Sequence, residues 1–384
     1  MKKLFALILL FCSVVSLHAQ EPVFLQKVYE FLIKRDDVDS TRIYQPAKAC
    51  WSVGLLTTGQ KAGFDVDVDF KIKLDDASSL DGISKYSLGE NLCKKIGLEV
   101  GYGNVGFSYS LEVGQRSATK KRSFSLGNIG RTWGVNFKYF KITNPYISGL
   151  TLGAEGDEHY MHDEFVSEEM ASLRSFAIDG YFVFNNKRFA YPAAYKIGLI
   201  QRHTAGSWLL TARYMQGELY NSPEVSWDSY NLLDCFSTLQ ASVGGGYSVN
   251  FVPWHKDPIG PRDQGLRNLT INLTALPVIT FVNYLKATAY EYELNDETHE
   301  IHHVGEKVSK IWCYPMPNYI GSAAISLTMW RFFFSTQFTY NCFYFRSSNA
   351  FDASRMDIPD NVDDLSFRGT FNDWILKGTL VYRF

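Results

Sequence analysis

Residues 64–74 alternate without a fault. Phe64, Val66, Val68, Phe70, Ile72 and Leu74 take the even positions, and Asp65, Asp67, Asp69, Lys71 and Lys73 the odd ones. Only an extended strand sorts such a run into one apolar and one charged face, because its side chains alternate with a period of two. The same pattern recurs along the chain. Val105, Phe107, Tyr109 and Leu111 alternate with Gly106, Ser108, Ser110 and Glu112, and Trp133, Val135, Phe137 and Tyr139 with Gly134, Asn136 and Lys138. Leu239 to Phe251 and Phe332 to Tyr340 behave alike. Two architectures use such strands: a sandwich with its charged face in water, or a membrane barrel with its apolar face in lipid.

Composition narrows the choice. The chain has 384 residues, 46% of them hydrophobic, with 28 Phe, 23 Tyr and 8 Trp, so it holds too much aromatic surface for a disordered chain. Mean hydropathy is nevertheless only −0.14, as expected when apolar and polar residues share the same strands. The one long apolar run, Leu4–Leu17, is short for a membrane-spanning helix, and no other segment approaches the length one needs. Thirty-eight basic residues stand against 40 acidic ones, and the one basic cluster, Lys120–Arg122, is short, so nucleic-acid binding has no support.

The ends of the sequence favour the barrel. Lys2-Lys3, the apolar run Leu4–Leu17 and a small residue at Ala19 form a secretory signal peptide, with cleavage expected after Ala19. Cys12 follows the bulky Phe11, which argues against a lipid anchor. At the other end Trp374, Leu376, Leu380, Tyr382 and Phe384 share one face, opposite Lys377, Thr379 and Arg383. A strand ending on Phe is the barrel-closing strand that insertion machinery reads in bacterial outer membranes. The expected fold is therefore an all-β, antiparallel, up-and-down transmembrane barrel of about 12 strands, within a range of about 10 to 14. The expected organisation is a signal peptide over 1–19, a periplasmic lead over 20–60 with one short helix at most, and the barrel over 61–384. The expected location is the outer membrane of a Gram-negative bacterium. The partners are membrane lipid and the insertion machinery, with no nucleic acid, and the chain is a monomer.

Parity places the strands near 62–74, 94–102, 103–113, 131–142, 172–184, 193–203, 207–217, 238–251, 267–283, 318–330, 331–345 and 372–384. Long outer loops then fall at 75–93, 114–130, 218–237, 284–317 and 346–371, and a tight turn at Thr204–Gly206. Residues 143–171 are awkward, being long for a periplasmic turn. Trp133, Trp208, Trp330 and Trp374 lie near strand ends, where an aromatic girdle belongs.

Residues 185–195, Asn-Asn-Lys-Arg-Phe-Ala-Tyr-Pro-Ala-Ala-Tyr, precede Gln201-Arg202-His203-Thr204-Ala205-Gly206-Ser207. Phe184–Asn186, Arg188-Phe189, Tyr191, Ala193-Ala194 and the Ala-Gly-Ser turn, with Gly244-Gly245-Gly246-Tyr247 and Gly321-Ser322-Ala323-Ala324, resemble an uncharacterised family of outer-membrane barrels from Bacteroidales-type bacteria. The likeness spans about residues 60–384; Pro192 and His203-Thr204 are local departures from the family pattern. It implies fold and place, and no activity.

No phosphate-binding loop, dinucleotide fingerprint or nucleophile elbow is present. Five cysteines follow the leader, Cys50, Cys93, Cys235, Cys313 and Cys342, odd in number and without a zinc spacing. His299-Glu300-Ile301-His302-His303 and His159 to Glu164 cluster metal-ligand types, yet each reads more simply as a solvated polar segment. The first lies in an outer loop, and the second in the 143–171 connection, where a short helix is possible. His203 and Ser207 supply the residue types of a hydrolase, but they flank a turn at the end away from outer-leaflet lipid. No cofactor, metal or catalytic residue is assigned. The charged residues placed in the lumen are Asp65, Asp67, Asp69, Lys71, Lys73, Glu99, Glu112, Lys138, Asp179, Lys196 or Arg202, Arg213, Lys377 and Arg383. Their mixed signs fit an interior ion-pair lattice or a narrow mixed conduit. The expected role is a non-catalytic barrel acting as a passive conduit or through its surface loops. The alternatives are a lipid or lipopolysaccharide hydrolase and a hydrophobic-ligand transporter with an N-terminal plug, for which 20–60 is the available segment.

Overall fold

A computed structural model describes residues 38–45, 51–75, 78–89, 93–102, 105–113, 120–143, 146–154, 159–163, 171–221, 235–259, 264–294, 301–347 and 362–384. The expected signal peptide, the lead before residue 38, Cys50 and His299-Glu300 lie outside the described residues. Twelve strands form the barrel: β1 Trp51–Asp75, β2 Cys93–Tyr102, β3 Val105–Glu112, β4 Lys120–Ile129, β5 Trp133–Thr143, β6 Ala171–Val183, β7 Ala205–Asn221, β8 Cys235–Lys256, β9 Arg267–Leu294, β10 Met316–Met329, β11 Phe332–Arg346 and β12 Val362–Arg383. Each pairs antiparallel with the next, and β12 closes the ring against β1, with Tyr382 opposite Val53 and Trp374 opposite Lys61. Closure leaves the ring itself without an unpaired edge, which is what a strand in hydrocarbon requires.

Trp51 and Phe384 lie together at one end, here called lower, where the Phe384 amide donates to the Trp51 carbonyl at 3.0 Å. Alternation sorts the wall. Trp51, Val53 and Leu55 on β1, Ile96, Leu98 and Val100 on β2, and Phe332, Phe334 and Phe338 on β11 are all exposed on the outside. Between them Ser52, Gln60, Lys95, Ser110, Gln240, Ser335 and Asn341 are buried inside. An apolar belt this continuous is not left to water in a soluble monomer. Trp51, Trp133, Trp208, Trp254 and Trp330, each more than two fifths exposed, gather near the lower rim. Trp374 faces Lys61 and Tyr340 higher on the wall. On the inside, small polar residues bond across strands, Ser108 to Ser125 at 2.8 Å and Ser248 to Thr274 at 2.7 Å.

Several strands outrun the bilayer. About ten tilted residues cross the apolar band, whereas β9 has 28 and β1 has 25. The upper half of β1 leaves β2 and pairs with Ser78–Gly89, which pairs with Tyr146–Ala154 and then His159–Asp163. The upper half of β9 pairs with Ile301–Trp312. Loops expected at 75–93 and 284–317 are thus largely sheet, and the short helix considered for 143–171 is strand at 146–154 and 159–163.

The expected count of twelve holds, but its membership does not. Lys120–Ile129, expected as loop, is β4; residues 193–203, expected as a strand, are not part of the wall. These two errors cancel in the count and reverse the direction of everything between them. Residues 143–171 therefore connect strands at the upper end, which removes their awkward length, and the connection from β6 to β7 belongs to the lower end. The barrel begins at Trp51 rather than residue 61.

Candidate functional site

A ring of eight strands is filled by its own side chains, and one of sixteen leaves a water channel. Twelve strands leave a space between these cases, and the chain fills its lower part with residues 184–204. Asn185 starts the inward turn: its carbonyl accepts from the Phe189 amide at 2.9 Å, and its amide donates to Ser207 Oγ at 2.9 Å. Phe189 then packs, fully buried, on Val183, Leu209 and Leu276. Tyr191–Ala194 form a 3-10 turn with a proline in its first positions, where a missing N–H costs nothing. Ala193 and Ala194 are small enough to seat this turn against the wall, and both are buried.

Polar groups of the wall satisfy the inserted backbone. Asn250 Nδ2 donates to the Ala190 carbonyl at 2.8 Å, Gln337 Nε2 to that of Tyr195 at 3.2 Å, and Ser326 Oγ to that of Ala193 at 3.4 Å. The Tyr195 hydroxyl donates to Asn272 Oδ1 at 2.5 Å and lies 2.9 Å from Ser322 Oγ. Gln201, fully buried, accepts from the Ala190 amide and donates to the carbonyls of Arg188 and Arg42. A buried segment of irregular backbone persists only when its polar groups are met in this way.

The lead joins from below. Ile43–Tyr44 pair with Ile200–Gln201, and Ile43 packs with Ala190, Ala193 and Leu199. Arg202 donates to the Ser40 carbonyl at 2.6 Å, lies 5.7 Å from the Tyr44 ring centre and pairs with Asp257 at 2.7 Å. The Thr41 hydroxyl donates to Asp39 at 2.6 Å and holds that carboxyl below its ordinary range.

Above the insertion lies a cavity of about 410 Å³, within the range of small-molecule sites. Tyr181, Tyr191 and Tyr195 stand at its floor, with ring centres 4.8 Å apart for the first pair and 5.1 Å for the second. Gly134 makes room for Tyr181: a Cβ there would meet the ring at 2.4 Å, so only glycine lets it lie down. The Tyr181 hydroxyl is held by the Gly130 carbonyl at 2.7 Å.

The charged lining consists of five cations, Lys95, Lys138, Lys196, Arg213 and Lys377, and three carboxylates, Glu99, Asp179 and Asp373. Asp179 takes Lys138 at 2.7 Å and Arg213 at 3.2 Å, and Arg213 also lies 4.5 Å from the centre of the Phe343 ring. Lys377 meets Glu99 at 3.2 Å. Lys95 donates to Gln60 at 3.0 Å and Ser123 at 3.2 Å, and Gln60 passes the contact to Asp373 at 2.8 Å.

Of the charges placed in the lumen from sequence, Glu99, Lys138, Asp179, Lys196, Arg213 and Lys377 line this cavity. Glu112 shares the inward parity of β3, and Arg383 is buried at the lower rim. Arg202 sits with the lead below the insertion. Asp65 and Asp67 depart from the expectation. They share the parity of Trp51, Val53 and Leu55, Asp65 is exposed, and Asp67 bonds Arg368 on the outer side at 3.1 Å. Pairing of β12 with β1 runs unshifted through this stretch, so the outward face changes from apolar to charged where the strand rises above the belt. The side chains of Asp69, Lys71 and Lys73 lie outside the described residues, as do those of His159 to Asp163, His302 and His303.

His203 and Ser207 are not assembled into a catalytic pair. His203 is exposed, while Ser207 is buried with its hydroxyl donating to the Trp208 carbonyl and accepting from Asn185. Lys95, Gln60 and Asp373 went unassigned from sequence; the alternation of β2 and β12 marks Lys95 and Asp373 as inward, whereas the phase read from residues 64–74 puts Gln60 on the outer face, and no period marks the three as neighbours.

A family model described as a domain of unknown function, DUF4421, matches residues 68–359, well over half of the chain. No curated protein matches the chain. Among solved structures, the outer membrane protease OmpT of Escherichia coli is similar at a TM-score of 0.34 and 5% identity, over 91% of this chain and 99% of that one. OmpT of Vibrio cholerae, an outer membrane protein folded in vitro, is similar at a TM-score of 0.27 and 9% identity, over 88% and 97%.

Proposed function

The chain belongs to this family of unknown function, and from the geometry of its lumen we propose that it is an integral outer-membrane barrel, without a catalytic site, whose passage is held shut at the periplasmic end by residues 184–204. The observation that carries this reading is the seating of the inserted segment: Phe189, Ala190 and Ala194 are fully buried, and the wall bonds its backbone from β8, β10 and β11. The apolar belt supports lipid as the surrounding medium. The lower end is periplasmic in this reading because termini of such barrels lie there. A closed ring needs no partner to cover an edge, which supports a monomer.

The role that fits is a gated compartment rather than an open pore. A polar solute would enter the cavity from the outer side and pass only when the insertion shifts. The hydrophobic-ligand reading fits poorly, because eight charged side chains line the cavity. The hydrolase reading has lost its Ser–His candidate.

Purified protein in planar bilayers is expected to show no steady conductance at low voltage. Phe189→Ala removes a fully buried ring from the seat, a loss of about 3 to 5 kcal/mol, and is expected to produce flickering openings. Steady conductance of the unaltered barrel overturns the reading, as does a Phe189→Ala variant as quiet as the parent.

A further inference from the structure

Among the described residues lining the cavity, four of the five cations are engaged: Lys138 and Arg213 by Asp179, Lys377 by Glu99, Lys95 by Gln60 and Ser123. Lys196 is the exception. It is only 9% exposed, its ammonium has no hydrogen-bond or ion-pair partner among the described residues, and it lines the cavity. Glu99 attracts it from beyond contact distance, and that carboxylate already holds Lys377. Its end lies beside the β2–β3 glycine pair, Gly101 opposite Gly106, where a Cβ on Gly106 would come 3.8 Å from Nζ. Its stem is buried and its ammonium opens onto the cavity, so a counter-charge brought there meets a cation that no carboxylate among the described residues already holds. The lining as a whole carries two more cations than carboxylates.

The floor adds a second recognition element. Tyr191 and Tyr195 keep part of their surface open, and the Tyr195 hydroxyl is tied to Asn272 and Ser322, so its ring is a fixed platform. We propose that the cavity binds an organic anion, a carboxylate or phosphate ester with a flat or ring-shaped body, whose charge is received by Lys196 and whose body rests on Tyr191 and Tyr195. This rests on the lumen being a ligand compartment, as proposed above, but not on whether the insertion moves.

The test is calorimetric titration of the full protein in detergent micelles with three probes: 4-nitrophenyl phosphate, 4-nitrobenzoate and the neutral 4-nitrophenyl β-glucoside. One or both anions are expected to bind one per chain, and the glucoside at least ten-fold more weakly. Preference between the two anions assigns ester or carboxylate. Lys196→Met is expected to weaken anion binding about ten- to hundred-fold, the worth of a charge-assisted bond. Glu99→Gln is expected to tighten it severalfold, by removing a competing negative charge and freeing Lys377. Tightening cannot arise from misfolding, so this variant keeps the test sound if the methionine variant folds poorly. Equal binding of glucoside and anions, no binding of either anion up to millimolar concentration, or an unchanged Glu99→Gln affinity overturns the inference. A barrel that conducts steadily yet binds anions through Lys196 keeps the inference and removes the closed-passage reading; a closed barrel that binds no anion does the reverse.

Discussion

Replacing residues 186–206 by Asn-Gly is expected to convert the closed barrel into an open channel, seen in planar bilayers as discrete, long-lived conductance steps absent from the parent. The design follows the register. Val183 faces Leu209 across β6 and β7, so Asn185 and Ser207 face one another two residues further on. Two residues of this type close such a hairpin in a geometry that matches strand twist. The wall loses no strand and only the Ala205–Asn250 and Gly206–Val249 pairs at the lower end of β7, so the barrel persists. What it loses is the body that Asn250, Gln337 and Ser326 hold inside it. Those polar groups then face a lumen wide enough for water, which satisfies them. An excised barrel that folds, by its resistance to unfolding in cold detergent, but stays silent would mean that another part of the chain closes the passage.

Asp179→Ala is expected to destabilise the barrel by roughly 3 kcal/mol, the order found when one partner of a buried ion pair is removed. Arg213 carries most of this effect, because its side chain is 8% exposed and would be left facing Phe343 and Asn341 without a counter-charge. Lys138 adds little, since its side chain is 43% exposed and water screens it. The measurement is the urea midpoint for loss of folded electrophoretic mobility in lipid vesicles. Asp179→Ala with Arg213→Met should recover most of the loss, because both charges then leave together. A single variant as stable as the parent would show that the lumen is too wet for this pair to matter.

Strand β4 shows why part of the wall was hard to read. Its outward face offers only Phe124 and Leu126 in mid-strand, and its inward face is Ser123, Ser125 and Gly127 after three basic residues. Two apolar residues are too few to establish a period. Residues 195–200 mislead in the opposite direction. Lys196, Ile197, Leu199 and Ile200 are all at or below 9% exposed, so both parities are buried. That is the mark of a segment enclosed on every side, and sequence alone does not separate it from a strand with one wet face. The motif around Arg188-Phe189 and Tyr191 was visible as a resemblance, but its seat in the lumen depends on Val183, Leu209, Leu276 and Asn250, three of which are distant in sequence.

Alternation determined that this chain is built of two-faced strands, and with the leader and the strand ending on Phe384 it pointed to a closed antiparallel barrel, because strands in lipid must close on themselves. It also marked Glu99, Lys138, Arg213 and Lys377 as inward, since parity within a belt-crossing strand decides the face. Parity does not say where the belt ends. Asp65 and Asp67 alternate as cleanly as any residues in the chain, yet they face outward above the belt, where water makes a charged outer side favourable. Nor does alternation say what fills a ring of twelve strands. Only the tertiary structure decided that residues 184–204 turn inward, that the lead meets them from below, and that Lys196 among them has no partner among the described residues. Those outcomes rest on contacts between residues far apart in the chain, and a local period carries no record of them.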